Sequence, residues 1–201
     1  MIAITVSTNY YDILPYVLEA NLKHIDRWIF ITDANDQATI DLLTPHDNIT
    51  ILYWDFKNNG RIFDKGGALK YAQQHAYVTY PDDWYLILDS DICFPENFSL
   101  DTAVLDAGVI YTTNRQDFNS ASSYRQKQYY YQHPLNPRRC LGYFQLYKQH
   151  LFYKSSWKAD QCDDEFSCCL PNKCLDIMCS HLGHVNTNWK GRAIGSDFLV
   201  D

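Results

Sequence analysis

Trp84-Tyr85-Leu86-Ile87-Leu88-Asp89-Ser90-Asp91-Ile92-Cys93-Phe94-Pro95 is the stretch that decides how this chain folds. The apolar run from Tyr85 to Leu88 reads as a short buried strand, and Pro95 keeps it from continuing far past the two acids. In extended backbone, residues i and i+2 project to the same side, so Asp89 and Asp91 are expected to converge on one small volume. Two carboxylates held that close repel unless a positive group lies between them, and a hard divalent cation such as Mg²⁺ or Mn²⁺ suits oxygen ligands. The alternative is a strand ending in a solvated turn, where Asp and Ser are common.

The segments before this stretch alternate between two periodicities. Ile2–Ser7 is a β-branched apolar run, and 8–11 form a polar loop. Ile13 to Ile25 has helical spacing, with Asp12 placed to cap it. Arg27–Thr32 is a second strand, Ala38–Leu43 a short helix and Ile49–Trp54 a third strand. After a polar loop at 57–60, Ala68–Tyr77 reads as a helix that leads into the strand ending at the two acids. This β-α order predicts an α/β fold with a mostly parallel central sheet flanked by helices and right-handed crossovers. Ligands in such sheets bind beyond the carboxyl ends of the strands, an edge that Asn9, Asp33, Asp55 and the Asp89/Asp91 pair would border.

The second half is less regular. Val104–Thr112 and Leu141–Tyr147 read as strands, Phe152 to Trp157 as a short element, and the polar, tyrosine-rich 113–139 as loop. With 201 residues and no repeat, low-complexity tract or linker, one domain spanning 1–201 is expected. A hydrophobic content of 46% and a charged content of 20% describe a folded globular chain. The net charge of −7 argues against nucleic acid as a partner, though a metal and local Lys/Arg can reverse the sign inside a pocket. The N-terminus enters a strand at once, without a secretion signal, and no apolar run approaches the roughly 20 residues of a membrane span. A cytoplasmic chain is expected, or one in the host cytoplasm if its source is viral, and the sequons at Asn48 and Asn97 read as chance. Five of the seven cysteines (Cys162, Cys168, Cys169, Cys174, Cys179) crowd one stretch and read as free thiols. A zinc site with His181 or His184 is the weaker alternative, since no Cys-x₂-Cys knuckle is present.

The order of motifs resembles the GT-A fold of nucleotide-sugar glycosyltransferases, family 2-like enzymes in particular, and covers nearly the whole chain from Ile2 to about Arg192. Its parts are Val6-Ser7-Thr8-Asn9-Tyr10 after the first strand, Asp33 after the second and Phe63-Asp64-Lys65-Gly66-Gly67-Ala68-Leu69 opening a helix. They continue with Leu88-Asp89-Ser90-Asp91, Gly142-Tyr143-Phe144-Gln145, Asp163-Asp164-Glu165-Phe166, His181-Leu182-Gly183-His184 and Asn188-Trp189-Lys190-Gly191-Arg192. The chain also looks like compact glycosyltransferase domains of large DNA viruses and phages.

That resemblance implies a Rossmann-like domain whose residues 1–100 bind the nucleotide sugar and whose residues 101–201 hold the acceptor and the chemistry. It implies a metal-dependent, inverting transfer of sugar from a UDP- or GDP-sugar to a hydroxyl acceptor such as a glycan. Asp91 would hold Mn²⁺ or Mg²⁺, with Asp89 on the ribose or a metal-bound water, and His181 or His184 would complete the shell. Ser7, Thr8, Asn9, Asp33, Arg61, Lys65, Ser90, Lys190 and Arg192 would contact the nucleotide sugar. Glycines at a helix start admit a ligand to the backbone, and Lys65 offers a point charge to phosphate. Asp163, with Asp164 in reserve, would be the general base, and Gly142, Tyr143 and Trp157 would border the acceptor. Each has a bland counterpart: helix capping for Asp33, a solvated loop lysine for Lys65, a solvated turn for the acidic run, ordinary packing for the aromatics. Two further functions stand beside this one. A sugar-phosphate nucleotidyltransferase would share the fold, but that class usually carries a Gly-rich loop with Arg and Lys after the first strand, which Val6-Ser7-Thr8-Asn9 lacks. A non-catalytic nucleotide-sugar or metal-binding module would leave Asp163 and the late histidine without a task.

Overall fold

Adjacent residues of the early strands point into two separate cores. A computed structural model describes residues 1–57, 60–132, 142–155 and 159–183. In it Ile2–Val6 (β1), Arg27–Thr32 (β2), Ile49–Tyr53 (β3) and Tyr85–Leu88 (β4) pair in parallel in the order β3-β2-β1-β4. Ala3, Trp28, Phe30, Leu86 and Leu88 pack on one face with Leu14, Val17 and Leu18 of α1 (Leu14–Asn21). Ile4, Ile29, Ile31, Tyr85 and Ile87 pack on the other with Ala68, Leu69, Ala72 and Ala76 of α3 (Lys65–Thr79). Both faces of β1, β2 and β4 are covered, which is why they read as continuous apolar runs rather than as alternating ones, while the edge strand β3 is half-buried. Helix α2 (Gln37–Leu43) joins β2 to β3.

Past β4 the strand directions mix. Beyond β4 lie Phe144–Tyr147 (β8), antiparallel to it, then Ile110–Phe118 (β6), Asn172–Leu182 (β9) and the two-residue Ile92–Cys93 (β5). A two-residue strand, Tyr131–Gln132 (β7), pairs off β6, and α4 (Ala121–Arg125) and α5 (Ala159–Ser167) complete the described elements. The expected α/β domain with helices flanking a central, largely parallel sheet is what forms. No helix among the described residues is long and apolar enough to cross a membrane. The six described cysteines are free thiols.

Several boundaries differ from the sequence reading, each for a local reason. Helix α3 starts three residues early because Asp64 caps it, accepting from Gly67 N at 3.1 Å. Helix α1 stops at Asn21 and gives way to a 3₁₀ turn at Leu22–His24 instead of running to Ile25, and its capping position is Ile13, with no side-chain hydrogen bond. The strand expected over Val104–Thr112 begins at Ile110, because a turn intervenes in which Asp106 Oδ1 accepts from Gly108 N at 2.8 Å. It then continues to Phe118 through residues read as loop, since buried Thr113, Asn114 and Asp117 find partners across β9. Residues 152–155 form no regular element, and Trp157 lies outside the described residues.

Candidate active site

The carboxyl ends of β1, β2 and β4, the start of α3, the body of α5 and the end of β9 meet at one edge of the sheet. The two acids after β4 do not converge there as extended backbone would require. Ile92 N bonds Asp89 O at 3.3 Å, so residues 89–92 form a turn and the i, i+2 rule does not hold. Each carboxylate faces its own cationic partner.

Asp89 faces Lys65. The Lys65 ammonium lies 3.0 Å from Asp89 Oδ1 and 3.0 Å from Asp163 Oδ2, bridging β4 to α5. Burial opposes the charge of Lys65, but Asp163 and Asp89 raise its pKa well above the ordinary lysine value, so it stays an ammonium. Burial pushes the Asp89 carboxyl up to about 6; Asp163 and Asp91 add to this and Lys65 opposes it. Asp163 is held on its other oxygen by the Tyr153 hydroxyl, which donates to Oδ1 at 3.2 Å, while Gln145 Nε2 donates to its backbone carbonyl at 3.3 Å. Phe166, one helical turn on, stacks on Tyr153 with centroids 4.3 Å apart and keys α5 to the core. Asp164 is half-buried beside Asp163, and Glu165 faces solvent.

Asp91 is buried and belongs to a second group. Its Oδ2 lies 3.6 Å from His181 Nε2 and 3.5 Å from the Tyr10 hydroxyl, and its backbone carbonyl accepts from Leu182 N at 2.8 Å. Behind the imidazole, His181 Nδ1 lies 3.0 Å from Asp117 Oδ1, an oxygen that also lies 3.3 Å from Arg115 Nε. Burial would lower the His181 pKa, but the charge of Asp91 and the bond to Asp117 outweigh it and push the imidazole up to about 9, with Arg115 opposing.

Among the described residues no three His, Cys, Asp or Glu side chains surround one point. The expected Asp89–Asp91–His181 set is therefore not assembled, because Asp89 turns to Lys65; His184 lies outside the described residues. Asp91 and His181 remain as two facing donors whose chemistry fits a divalent cation that takes the rest of its shell from phosphate and water.

The other expected site residues are placed as follows. Gly66 and Gly67 answer to packing: a Cβ on Gly66 would come 2.1 Å from Lys154 O, and one on Gly67 would come 2.2 Å from the Asp64 carboxylate. Arg61 is tied to that same carboxylate at 2.7 Å, as is Ser155 Oγ at 2.6 Å. Gly142 gives room to the base candidate, since a Cβ there would lie 2.1–2.6 Å from the Asp163 carboxylate atoms. Tyr143 is buried with Arg115 4.8 Å over its ring, so its face is already covered. Ser90 is buried in the turn. Ser7 and Thr8 follow β1 with buried hydroxyls, and Asn9 adopts a φ of 61° held by its N–H donating to Asp36 Oδ2 at 2.6 Å. Asp33 accepts from Asn35 N and Nδ2, both at 2.9 Å, while Asp36 caps α2. Lys190 and Arg192 lie outside the described residues. The sequence reading missed Asp117, Arg115, Tyr153 and Asp36; the Arg115-Gln116-Asp117 alternation was the available signal for the first two.

No protein-family model and no curated protein matches the sequence. Among solved structures the chain is similar to the 4-diphosphocytidyl-2C-methyl-D-erythritolsynthase from Anaerococcus prevotii DSM 20548. The TM-score is 0.51 at 14% identity, over 88% of this chain and 89% of that one. It is less similar to the inositol-1-phosphate CTP transferase from T. maritima, with a TM-score of 0.47 at 9% identity, over 92% of this chain and 89% of that one. At such identities the likeness is one of fold, and it agrees with the GT-A-like, Rossmann-like architecture expected from the motifs. The first of these is named as a diphosphocytidyl-methylerythritol synthase and not as a glycosyltransferase, and the expectation of a glycosyltransferase moving sugar to a hydroxyl acceptor is corrected on that finding.

Proposed function

We propose that the chain is a nucleotidyltransferase that joins a nucleoside monophosphate unit to a phosphorylated sugar or polyol. In this reaction an oxygen of the sugar phosphate attacks the α-phosphorus of a nucleoside triphosphate. One P–O bond forms, the bridge from the α- to the β-phosphorus breaks, and diphosphate leaves. The observation that supports this reading best is the state of Asp163. A hydroxyl acceptor would need this carboxylate as a base, yet it is held by the Lys65 ammonium at 3.0 Å and by the Tyr153 hydroxyl at 3.2 Å. A phosphate nucleophile needs no base, because its second ionisation falls near pH 6. What it needs is positive charge where two anions meet.

Lys65 supplies that charge from the chain's own residues. The place is unusual for the class, because Val6-Ser7-Thr8-Asn9 has neither the glycines nor the bases of a phosphate-gripping loop after β1. Lys65, anchored at the start of α3, would exchange a carboxylate for a phosphate oxygen when the triphosphate enters. Asp91 and His181 would hold a divalent cation, Mn²⁺ or Mg²⁺, which when bound draws charge from the phosphates as a Lewis acid. The loop from Ser7 to Asn9 and Asp33 lies at the same sheet edge, where the nucleoside would be held.

The test is diphosphate release from purified protein given each common nucleoside triphosphate together with a panel of sugar and polyol phosphates. Release that requires both partners is expected for at least one pair. Cleavage of a nucleotide sugar with no diphosphate formed would overturn the reading. Binding of nucleotides with no turnover would leave a non-catalytic module instead.

A further inference from the structure

Asp117 and Arg115 have no part in the reaction just described, yet both are built into its edge. Asp117 is 0% exposed and sits directly opposite His181 in the β6–β9 register, so the two side chains share one face of the sheet. Its backbone is fixed as well, since its carbonyl accepts from Tyr130 N at 3.0 Å. Its carboxylate is thus aimed at one ring nitrogen of His181, while the other ring nitrogen points at Asp91.

We infer that Asp117 is a positioning residue: it fixes the rotation and tautomer of His181, so that Nε2 and Asp91 Oδ2 can share a divalent cation. The inference rests on the metal reading under Proposed function. An imidazole that ligates through one nitrogen needs a lone pair there and its proton on the other nitrogen, and an acceptor carboxylate at that second nitrogen imposes this tautomer. With Asp117 in place, Nδ1–H donates to it at 3.0 Å, which leaves Nε2 as the ring nitrogen turned toward Asp91 Oδ2, 3.6 Å away. An asparagine of the same shape can turn its amide to donate, and so stabilise the opposite tautomer with Nε2 protonated. Arg115, with Nε 3.3 Å from the same Asp117 oxygen, braces that carboxylate.

The experiment titrates the full chain with Mn²⁺ alone and follows free Mn²⁺ by electron paramagnetic resonance, for the wild type, Asp91→Ala and Asp117→Asn. Thermal unfolding serves as the control for folding. Asp91→Ala should abolish the site, and Asp117→Asn should weaken Mn²⁺ by 10–100-fold, the usual effect of losing such a partner. Nitrogen-15 NMR of the Mg²⁺-loaded wild type should show His181 protonated on Nδ1 and not on Nε2. Wild-type affinity in Asp117→Asn, with Asp91→Ala defective, would overturn the role of Asp117 and leave the metal site standing. Absence of any Asp91-dependent binding would overturn both. If Asp117→Asn fails to fold, the NMR measurement decides, and a proton on Nε2 refutes the inference.

Discussion

Lys65→Met removes the ammonium between Asp89 and Asp163 while keeping most of its aliphatic stem. At 3.0 Å and an effective dielectric near 20, each contact carries a gross attraction of about 5–6 kcal/mol. Much of that is offset by desolvation, since the Lys65 and Asp163 side chains are only 12% and 16% exposed. Asp89 keeps 35% of its side-chain surface in water, so its share is screened further. Breaking a buried ion pair by removing one partner costs about 3–5 kcal/mol, because the remaining charges are left uncompensated. Discounting the Asp89 arm leaves about 2–3 kcal/mol, a large part of the roughly 5–15 kcal/mol that holds a domain folded. The assay is urea unfolding at pH 7, read as a shift in midpoint at constant slope. Asp163→Asn added to Lys65→Met should recover part of the loss, with a coupling of about 1 kcal/mol or more. A loss below about 0.5 kcal/mol, or strict additivity of the two changes, would refute the bridge as the organiser of this edge.

Gly142→Ala places a Cβ 2.1–2.6 Å from the Asp163 carboxylate atoms; it should displace that side chain, cost about 1–3 kcal/mol and reduce turnover, as melting curves and steady-state rates would show. Asn21→Ala strips the buried amide that donates to Ile92 O at 2.8 Å and accepts from Phe94 N at 2.7 Å. Unsatisfied on both sides, it should lose about 2–4 kcal/mol in denaturant titration. Cys168 and Cys169 are exposed and should alkylate rapidly in the native state, followed by mass spectrometry. Cys93, Cys162 and Cys179 should resist, because they are buried and burial raises their thiol pKa, that of Cys179 to about 12.

The sequence made the first hundred residues legible because β1, β2 and β4 bury both faces and α1 and α3 bury one, so periodicity and burial agree. The Asp89/Asp91 pair was visible, but its geometry was not, because a turn bond from Ile92 N to Asp89 O replaces the extended backbone that would align the two acids. Strand β9 escaped notice because Cys174, Cys179 and His181 stand among its buried and half-buried positions, and the crowded cysteines read as free thiols rather than as parts of a strand. Asp117 was hidden in the same way: a buried carboxylate in a polar stretch looks like loop until its partners, His181 and Arg115, arrive from elsewhere in the fold. The glycines in the first turn of α3 were visible too, but their reason was steric, set by Lys154 O and Asp64 rather than by a ligand. Such causes depend on long-range contacts that local spacing does not encode. The class of reaction lay further still from the sequence, since the motif order was compatible with more than one transfer on the same fold.

The central claim is the bond that breaks, and phosphorus labelling reads it directly. Nucleoside triphosphate carrying ³²P at the α-position, or in a parallel reaction at the γ-position, is incubated with the partner sugar phosphate found in the diphosphate screen. The α-label should appear in a nucleotide-sugar product and the γ-label in diphosphate, in equal amounts and only when both substrates are present. Release of the γ-label as orthophosphate, or an α-label that never joins the sugar, would contradict nucleotidyl transfer at this site.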